Sequence, residues 1–146
     1  MILGDGPLEG FYRRRANGMA HVTFAGRVVA KRPQYYANAA VYACPTTRAS
    51  FGMTLLEAMS CATPIVCSDI VGFTDLATDG VEACMVPRRN VRALADTLAD
   101  VLDDPALRAQ MGAAGRLTAS QYGWPAIADR VLEVYARALG EIRLAA

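Results

Sequence analysis

A-S-F-G-M-T-L-L-E-A-M-S-C-A-T-P-I-V-C-S-D, residues 49–69, is the stretch that decides the fold of this 146-residue chain. Residues 50–61 have the apolar spacing of a helix, and residues 65–67 form a short apolar run that ends in polar residues. A helix that leads directly into an apolar strand is typical of α/β proteins with a parallel sheet. The stretch therefore predicts a helix and a strand of such a sheet.

The start of this helix has the features of an anion-binding site. The first backbone N–H groups of a helix have no intrahelical partner, and the helix dipole adds partial positive charge there. Gly52 has no Cβ and lets a ligand approach the backbone closely. One turn further, Glu57 lies on the same side as Met53 and Thr54, where its carboxylate can accept hydrogen bonds from two neighbouring hydroxyls. These residues predict a site for a nucleotide diphosphate.

The same helix has a plainer interpretation as an amphipathic core helix that tolerates one charge. Leu55 and Met59 are spaced for burial on one face. Glu57, however, has no Lys or Arg at positions 53, 54, 60 or 61, and a carboxylate in apolar surroundings is usually paired, solvated in a cleft or functional. Both interpretations remain open from the residues alone.

Outward from this stretch, apolar runs alternate with helical patterns. Strands are predicted at 1–3, 22–25, 41–44, 65–67 and 83–86, with helices at 7–15, 33–38, 50–61 and 73–77. Because the strands are apolar on both faces, we expect buried parallel strands. The prediction is a Rossmann-like, doubly wound α/β sheet of about five strands whose ligand site lies beyond the carboxyl ends of the strands.

After Pro87 the pattern becomes purely helical. Asn90 is a predicted N-cap, Asp104 precedes a proline at the first position of the next helix, and a third helix begins at Pro125. Trp124 is expected to pack where the last two helices meet. We therefore predict one domain over 1–146, with an α/β core at 1–87 and a helical segment at 88–146.

The composition excludes several classes of protein. A formal charge of +1 gives no electrostatic case for binding nucleic acid. Four cysteines without C-x-x-C spacing argue against zinc and for a reduced, cytoplasmic protein. No run of 18 apolar residues predicts a membrane span, although a peripheral contact with the inner face of the membrane is compatible with the sequence.

The order of motifs resembles one protein family. The motifs are I-L-G-D-G-P at 2–7, V-T-F-A-G-R-V at 22–28, Y-Y-A-N-A-A-V-Y-A-C-P at 35–45, S-F-G-M-T-L-L-E-A-M at 50–59 and T-P-I-V-C-S-D at 63–69. Together they resemble the C-terminal, donor-binding half of family-4 retaining glycosyltransferases of the GT-B fold, in particular the phosphatidylinositol mannosyltransferase type. This resemblance implies transfer of a hexose, mannose or glucose, from a GDP- or UDP-sugar to a lipid or glycan acceptor, with no cofactor or metal.

The resemblance also implies roles for individual residues. It makes Glu57 the second acidic residue of an E-x7-E motif, which grips the donor ribose. It places the backbone of a first group of residues, in the segment after the strand at 41–44, against the sugar and the diphosphate. It places a second group of residues around the nucleotide base. The first group is Ser50, Phe51, Gly52, Met53 and Thr54, and the second is Arg27, Val28 and Arg32.

Two departures from the family pattern accompany the resemblance. Ala49 stands where the first Glu of E-x7-E would contact sugar hydroxyls, so no catalytic residue is assigned. The acceptor-binding N-terminal domain, and the basic residues that neutralise the diphosphate, would precede the first residue. The chain is therefore expected to be truncated at its N-terminus and inactive alone. A non-catalytic nucleotide-sugar-binding or scaffold module is the alternative, and a nucleotide-sugar 2-epimerase-like enzyme is a second one.

Overall fold

Strands and helices alternate along residues 1–140, which are the residues that the computed structural model describes. The strands are β1 (Ile2–Leu3), β2 (Phe24–Gly26), β3 (Tyr42–Cys44), β4 (Ile65–Asp69) and β5 (Ala83–Pro87). The helices are α1 (Glu9–Arg15), α2 (Arg32–Ala37), α3 (Met53–Ser60), α4 (Val71–Thr74), α5 (Val91–Asp103), α6 (Pro105–Ser120) and α7 (Trp124–Ala138). They form two compact units, Met1–Tyr35 and the residues from Tyr36 onward.

The first unit is a single β-α-β element. β1 and β2 run parallel, and the Ile2 N–H donates to the Thr23 carbonyl at 2.7 Å. α1 provides the crossover, because parallel neighbours cannot be joined by a tight turn. The Arg13 guanidinium lies 4.7 Å from the centre of the Phe24 ring, so a cation–π contact ties the end of the helix to β2.

The second unit is a three-stranded parallel sheet in the order β3-β4-β5. Cys44 pairs with Cys67 in the first ladder and Asp69 with Pro87 in the second, so the carboxyl ends of the three strands lie at one edge. β4 is the central strand and residues 65–68 are buried. This edge is where a ligand site is expected in an open parallel sheet.

Five parallel strands and the α/β class confirm the sequence-based prediction of the fold, but the strands belong to two separate ladders. The expectation that all strands are buried is wrong for β1, where Ile2 and Leu3 are 45% and 38% exposed, and β2 and β3 are only partly buried, with Ala43 exposed. In a two-stranded ladder each strand has a neighbour on one side only, so neither strand is interior. The apolar run at residues 1–3 therefore predicts the strand correctly, but it does not predict how far the strand is buried.

The main core of the second unit combines buried residues of α3, β4, α4 and β5, and α6 packs closely against α3. Two glycines of α6 permit this approach: a Cβ on Gly112 would lie 2.3 Å from the Ala62 carbonyl oxygen, and one on Gly115 would lie 3.1 Å from Met59 Cγ. Leu55 and Met59 are fully buried, as the helical spacing predicts, and Met59 lies at this contact. The close packing holds α3, which carries the candidate site, against the rest of the unit.

The predicted caps of the helical segment are confirmed. The Asn90 side chain accepts a hydrogen bond from the Ala93 N–H at 3.0 Å, and Asp104 accepts from the Leu107 N–H at 2.8 Å. The prediction for Trp124 is wrong, since its side chain is 82% exposed. It occupies the first position of α7, a helix with no buried residue, so no core is available to it. None of the helices within residues 1–140 is long and apolar enough to cross a membrane.

The buried Cys67 makes the stability of the fold sensitive to alkaline pH. Desolvation raises the pKa of its thiol from 9.0 to about 12. The unfolded thiol therefore loses its proton first, and the free energy of unfolding must fall as the pH rises from about 9 towards 12. One group of this kind contributes a slope of up to about 1.4 kcal/mol per pH unit. Urea unfolding at pH 8, 9 and 10 should show a shallower decline for Cys67→Ala than for wild type, and equal declines would contradict this origin.

Candidate functional site

The candidate site is the junction between β3 and α3. The chain leaves β3 at Cys44 and enters α3 at Met53 through a loop that ends at Gly52. Gly52 is the N-cap residue of α3, has φ 88° in the left-handed region, and has no side chain that could bond to the first amides of the helix. Glycine tolerates this conformation without a steric cost, so the loop can turn sharply and expose its backbone at the carboxyl edge of the sheet.

The first turn of α3 presents unused backbone donors. The Gly52 carbonyl accepts from the N–H groups of Leu55 and Leu56 at 2.8 and 3.1 Å. Within residues 1–140, no hydrogen bond uses the N–H groups of Gly52, Met53 or Thr54. Three adjacent amide donors at a helix N-terminus can bind phosphate oxygens.

Glu57 lies in the second turn of α3 and is partly buried. Tyr36 donates a hydrogen bond from its hydroxyl to Glu57 Oε2 at 3.4 Å. The Tyr36 backbone carbonyl in turn accepts from the Thr63 hydroxyl at 2.9 Å. This contact helps to orient the Glu57 carboxylate.

A pair of tyrosines supports this arrangement. The rings of Tyr36 and Tyr42 lie edge to face, with centroids 5.1 Å apart and planes at 79°. Burial raises the pKa of Tyr42 well above its ordinary range, and a hydrogen bond with the Thr54 side chain opposes that rise. Tyr42 therefore stays protonated and joins β3 to the first turn of α3. Sequence reasoning assigned neither tyrosine to the site, although both lie in the 35–45 motif.

The structure brings one predicted group of site residues together. Ser50 and Phe51 lie in the loop, Gly52 at its end, and Met53 and Thr54 in the first turn of the same helix as Glu57. The Met53 side chain is 54% exposed, and Phe51 packs beside Tyr122 with ring centroids 5.7 Å apart.

The second predicted group belongs to the first unit. Arg27 and Val28 follow β2 directly, and Arg32 begins α2. Arg27 is exposed, whereas Val28 and Arg32 are partly buried. Their contact with a nucleotide base stays a prediction.

Ala49, at the position of the first family glutamate, is partly buried in the loop. Its methyl group offers no hydrogen-bond acceptor, and its backbone carbonyl lies against α4. Within residues 1–140 no three or more His, Cys, Asp or Glu side chains converge as metal ligands would. That the chain requires no cofactor or metal stays a prediction.

Comparison with known structures defines the class of fold. Sucrose-phosphate synthase from Thermosynechococcus elongatus superimposes with a TM-score of 0.80 at 28% identity, over 96% of this chain and 39% of that chain. Anabaena HepE, solved in complex with UDP-glucose, gives 0.83 at 23% identity, over 92% and 40%. The second likeness concerns the fold alone. Such structural neighbours are GT-B glycosyltransferases, which confirms the predicted fold class.

The family follows from the sequence comparison. Residues 1–104 match the model described as glycosyl transferases group 1, and the chain belongs to that family. The resemblance inferred from the motif order is confirmed.

Two similar proteins narrow the comparison. D-inositol 3-phosphate glycosyltransferase of Kineococcus radiotolerans is 40% identical over 118 residues, which is 75% of this chain and 27% of that protein. Phosphatidyl-myo-inositol mannosyltransferase of Mycobacterium leprae is 36% identical over 138 residues, 92% of this chain and 37% of that protein. The chain thus spans between about a quarter and two fifths of the length of these relatives.

Proposed function

We propose that this chain is the donor-binding domain of a retaining glycosyltransferase. In this proposal residues 1–146 form one nucleotide-sugar-binding domain. The enzyme transfers a hexose, mannose or glucose, from a GDP- or UDP-sugar to a lipid or glycan acceptor that an N-terminal domain binds. The observation that carries the proposal is the row of amides at Gly52, Met53 and Thr54, which no hydrogen bond from the described residues uses, one turn before the Glu57 carboxylate.

The chemistry that this arrangement supports is stabilisation of the leaving group. As the bond between the anomeric carbon and the diphosphate breaks, negative charge accumulates on the phosphate oxygens. Preorganised amide donors and the α3 dipole stabilise that charge without reorganisation during the reaction. Glu57 accepts hydrogen bonds from the ribose hydroxyls and holds the diphosphate in register with the amides. The chain's own residues in this way bind and orient the donor, and the mechanism uses no metal.

The relatives support the acceptor side of the proposal. Both are named for inositol compounds, D-inositol 3-phosphate in one case and phosphatidyl-myo-inositol in the other. We propose that the acceptor binds to a domain equivalent to the part of these longer relatives that lies outside the matched segment. A lipid acceptor would place the enzyme on the cytoplasmic side of a membrane as a peripheral protein.

Thermal unfolding in the presence of nucleotides tests the proposal. The chain is heated with UDP, GDP, UDP-glucose or GDP-mannose, each at up to a hundredfold excess over the expected dissociation constant. Selective binding to the folded form at that excess contributes about 2.7 kcal/mol and raises the Tm. One base should stabilise the chain more than the other, and no change with any of the four compounds would refute the proposal.

Ala49 favours a second candidate, a non-catalytic nucleotide-sugar-binding module. Without the first acidic residue of E-x7-E, the site lacks a family acceptor for sugar hydroxyls. The two functions differ in their genetic context. Contiguous coding sequence for an acceptor domain would support the transferase, whereas an independent open reading frame would support the binding module.

A further inference from the structure

The loop before α3 rests directly on the backbone of α4. Gly72, in the first turn of α4, is buried, and a Cβ built on it would lie 2.4 Å from the Ala49 carbonyl oxygen. The same atom would lie 2.9 Å from the Ala49 carbonyl carbon and 3.0 Å from that of Ser50. Ordinary contact begins at 3.4 Å, so even a methyl group would overlap the loop by about 1 Å. Two stretches of backbone therefore touch here with no side chain between them.

The other end of the loop contacts the next residue of α4. A Cβ on Gly52 would lie 3.0 and 3.1 Å from Cδ1 and Cε1 of the Phe73 ring. The Phe73 side chain is 1% exposed and belongs to the main hydrophobic core. The position of Gly52, and with it the start of α3, is thus limited by a ring that cannot move without disturbing the core.

The turn that carries these two residues is itself fixed. It follows the buried strand β4, and the Ile70 carbonyl accepts from the N–H groups of Phe73 and Thr74 at 2.8 and 3.1 Å. The Thr74 hydroxyl donates to the Val71 carbonyl at 3.1 Å. The loop therefore rests on a turn that its own hydrogen bonds hold in place.

We propose that Gly72 and Phe73 are positioning residues that fix the position of the loop before α3. The position of the loop in turn determines whether the amides of Gly52, Met53 and Thr54 converge on the donor diphosphate. This inference rests on the proposed function. Amide–oxygen hydrogen bonds span only about 2.7–3.2 Å, so a displacement of about 1 Å removes them. A misplacement of that size can cost about a hundredfold in a preorganised site.

The test compares two glycine variants with matched steric defects. Gly72→Ala pushes on the loop at Ala49. Gly112→Ala creates the same kind of overlap, 2.3 Å from a backbone oxygen, but at Ala62 beyond the other end of α3. Both variants should unfold at lower temperature. Calorimetric titration with UDP and with GDP, well below each Tm, should show at least tenfold weaker binding for Gly72→Ala and a change of less than about twofold for Gly112→Ala.

A second measurement needs no ligand. Leu55 and Leu56 donate their N–H groups to the Gly52 carbonyl, so their amide hydrogen exchange reports on the position of Gly52. Exchange of these two amides should accelerate in Gly72→Ala by more than the loss of global stability accounts for, and by no more than that in Gly112→Ala, because only the first variant displaces the loop. Phe73→Leu, which keeps an apolar side chain but removes the ring, replaces Gly72→Ala if that variant does not fold. It should produce the same exchange pattern.

The possible failures are distinguishable. Wild-type binding in Gly72→Ala, or equal weakening in both glycine variants, would overturn the positioning role. If wild type itself binds neither UDP nor GDP, the proposed function fails. In that case exchange of the Leu55 and Leu56 amides in Gly72→Ala that follows global stability alone would overturn the inference, and exchange accelerated beyond it would support its structural part.

Discussion

Glu57→Ala is expected to remove most of the rise in Tm that UDP or GDP gives the wild-type chain. The substitution deletes the only carboxylate of α3, which we assign to the ribose hydroxyls of the donor. A hydrogen bond to a charged group contributes about 1.5–3 kcal/mol, so the dissociation constant should rise by roughly 10- to 100-fold. Isothermal calorimetry and thermal unfolding at matched nucleotide concentrations measure the effect.

Two variants separate the ligand role of Glu57 from a structural one. Ser60→Ala is the control, because Ser60 is exposed on the same helix and its hydroxyl donates to the Glu57 backbone carbonyl at 2.7 Å. It should bind nucleotide as wild type does. Glu57→Gln keeps an acceptor for the Tyr36 hydroxyl but loses the charge, and we expect intermediate affinity. Equal stabilisation of Glu57→Ala and wild type would show that the ribose does not bind this side chain.

The second large effect is expected for Gly112→Ala, which should lower the free energy of unfolding by about 3 kcal/mol. The added Cβ would lie 2.3 Å from the Ala62 carbonyl oxygen, and Ala62 is already held at φ 56°. Backbone cannot move aside as a side-chain end can, so the penalty should fall at the upper end of the usual range for overpacking. Alanine has a better helix propensity than glycine, which offsets up to about 1 kcal/mol of the destabilisation, and the expected loss of about 3 kcal/mol includes this offset.

Gly115→Ala is the matched control, one helical turn further along α6. Its Cβ would meet Met59 Cγ at 3.1 Å, the flexible part of a side chain that can adjust. Urea unfolding should show a change of less than about 1 kcal/mol for this variant. A similar loss in both variants would mean that the cost is general to helix α6 and does not come from the Ala62 carbonyl.

Much of the candidate site was readable from the sequence because it is local. Gly52, the helix start and Glu57 lie within six residues, so helical geometry alone places the carboxylate one turn from the first amides of α3. The caps at Asn90 and Asp104 were predictable for the same reason, since each side chain bonds to a backbone N–H three residues away. The tyrosines were missed because Tyr36 approaches Glu57 from 21 residues earlier in the chain.

The sequence by itself determined the order of strands and helices, the caps and the composition of the helix that carries the site, because these depend on spacing within a few residues. Only the tertiary structure decided that β1 and β2 form a ladder separate from β3-β4-β5, and that Trp124 is exposed. It also decided that Gly72 supports the loop, since two segments more than 20 residues apart meet there. Burial and close backbone approach depend on two segments that pack against each other. The spacing of residues along one segment does not specify which other segment packs against it.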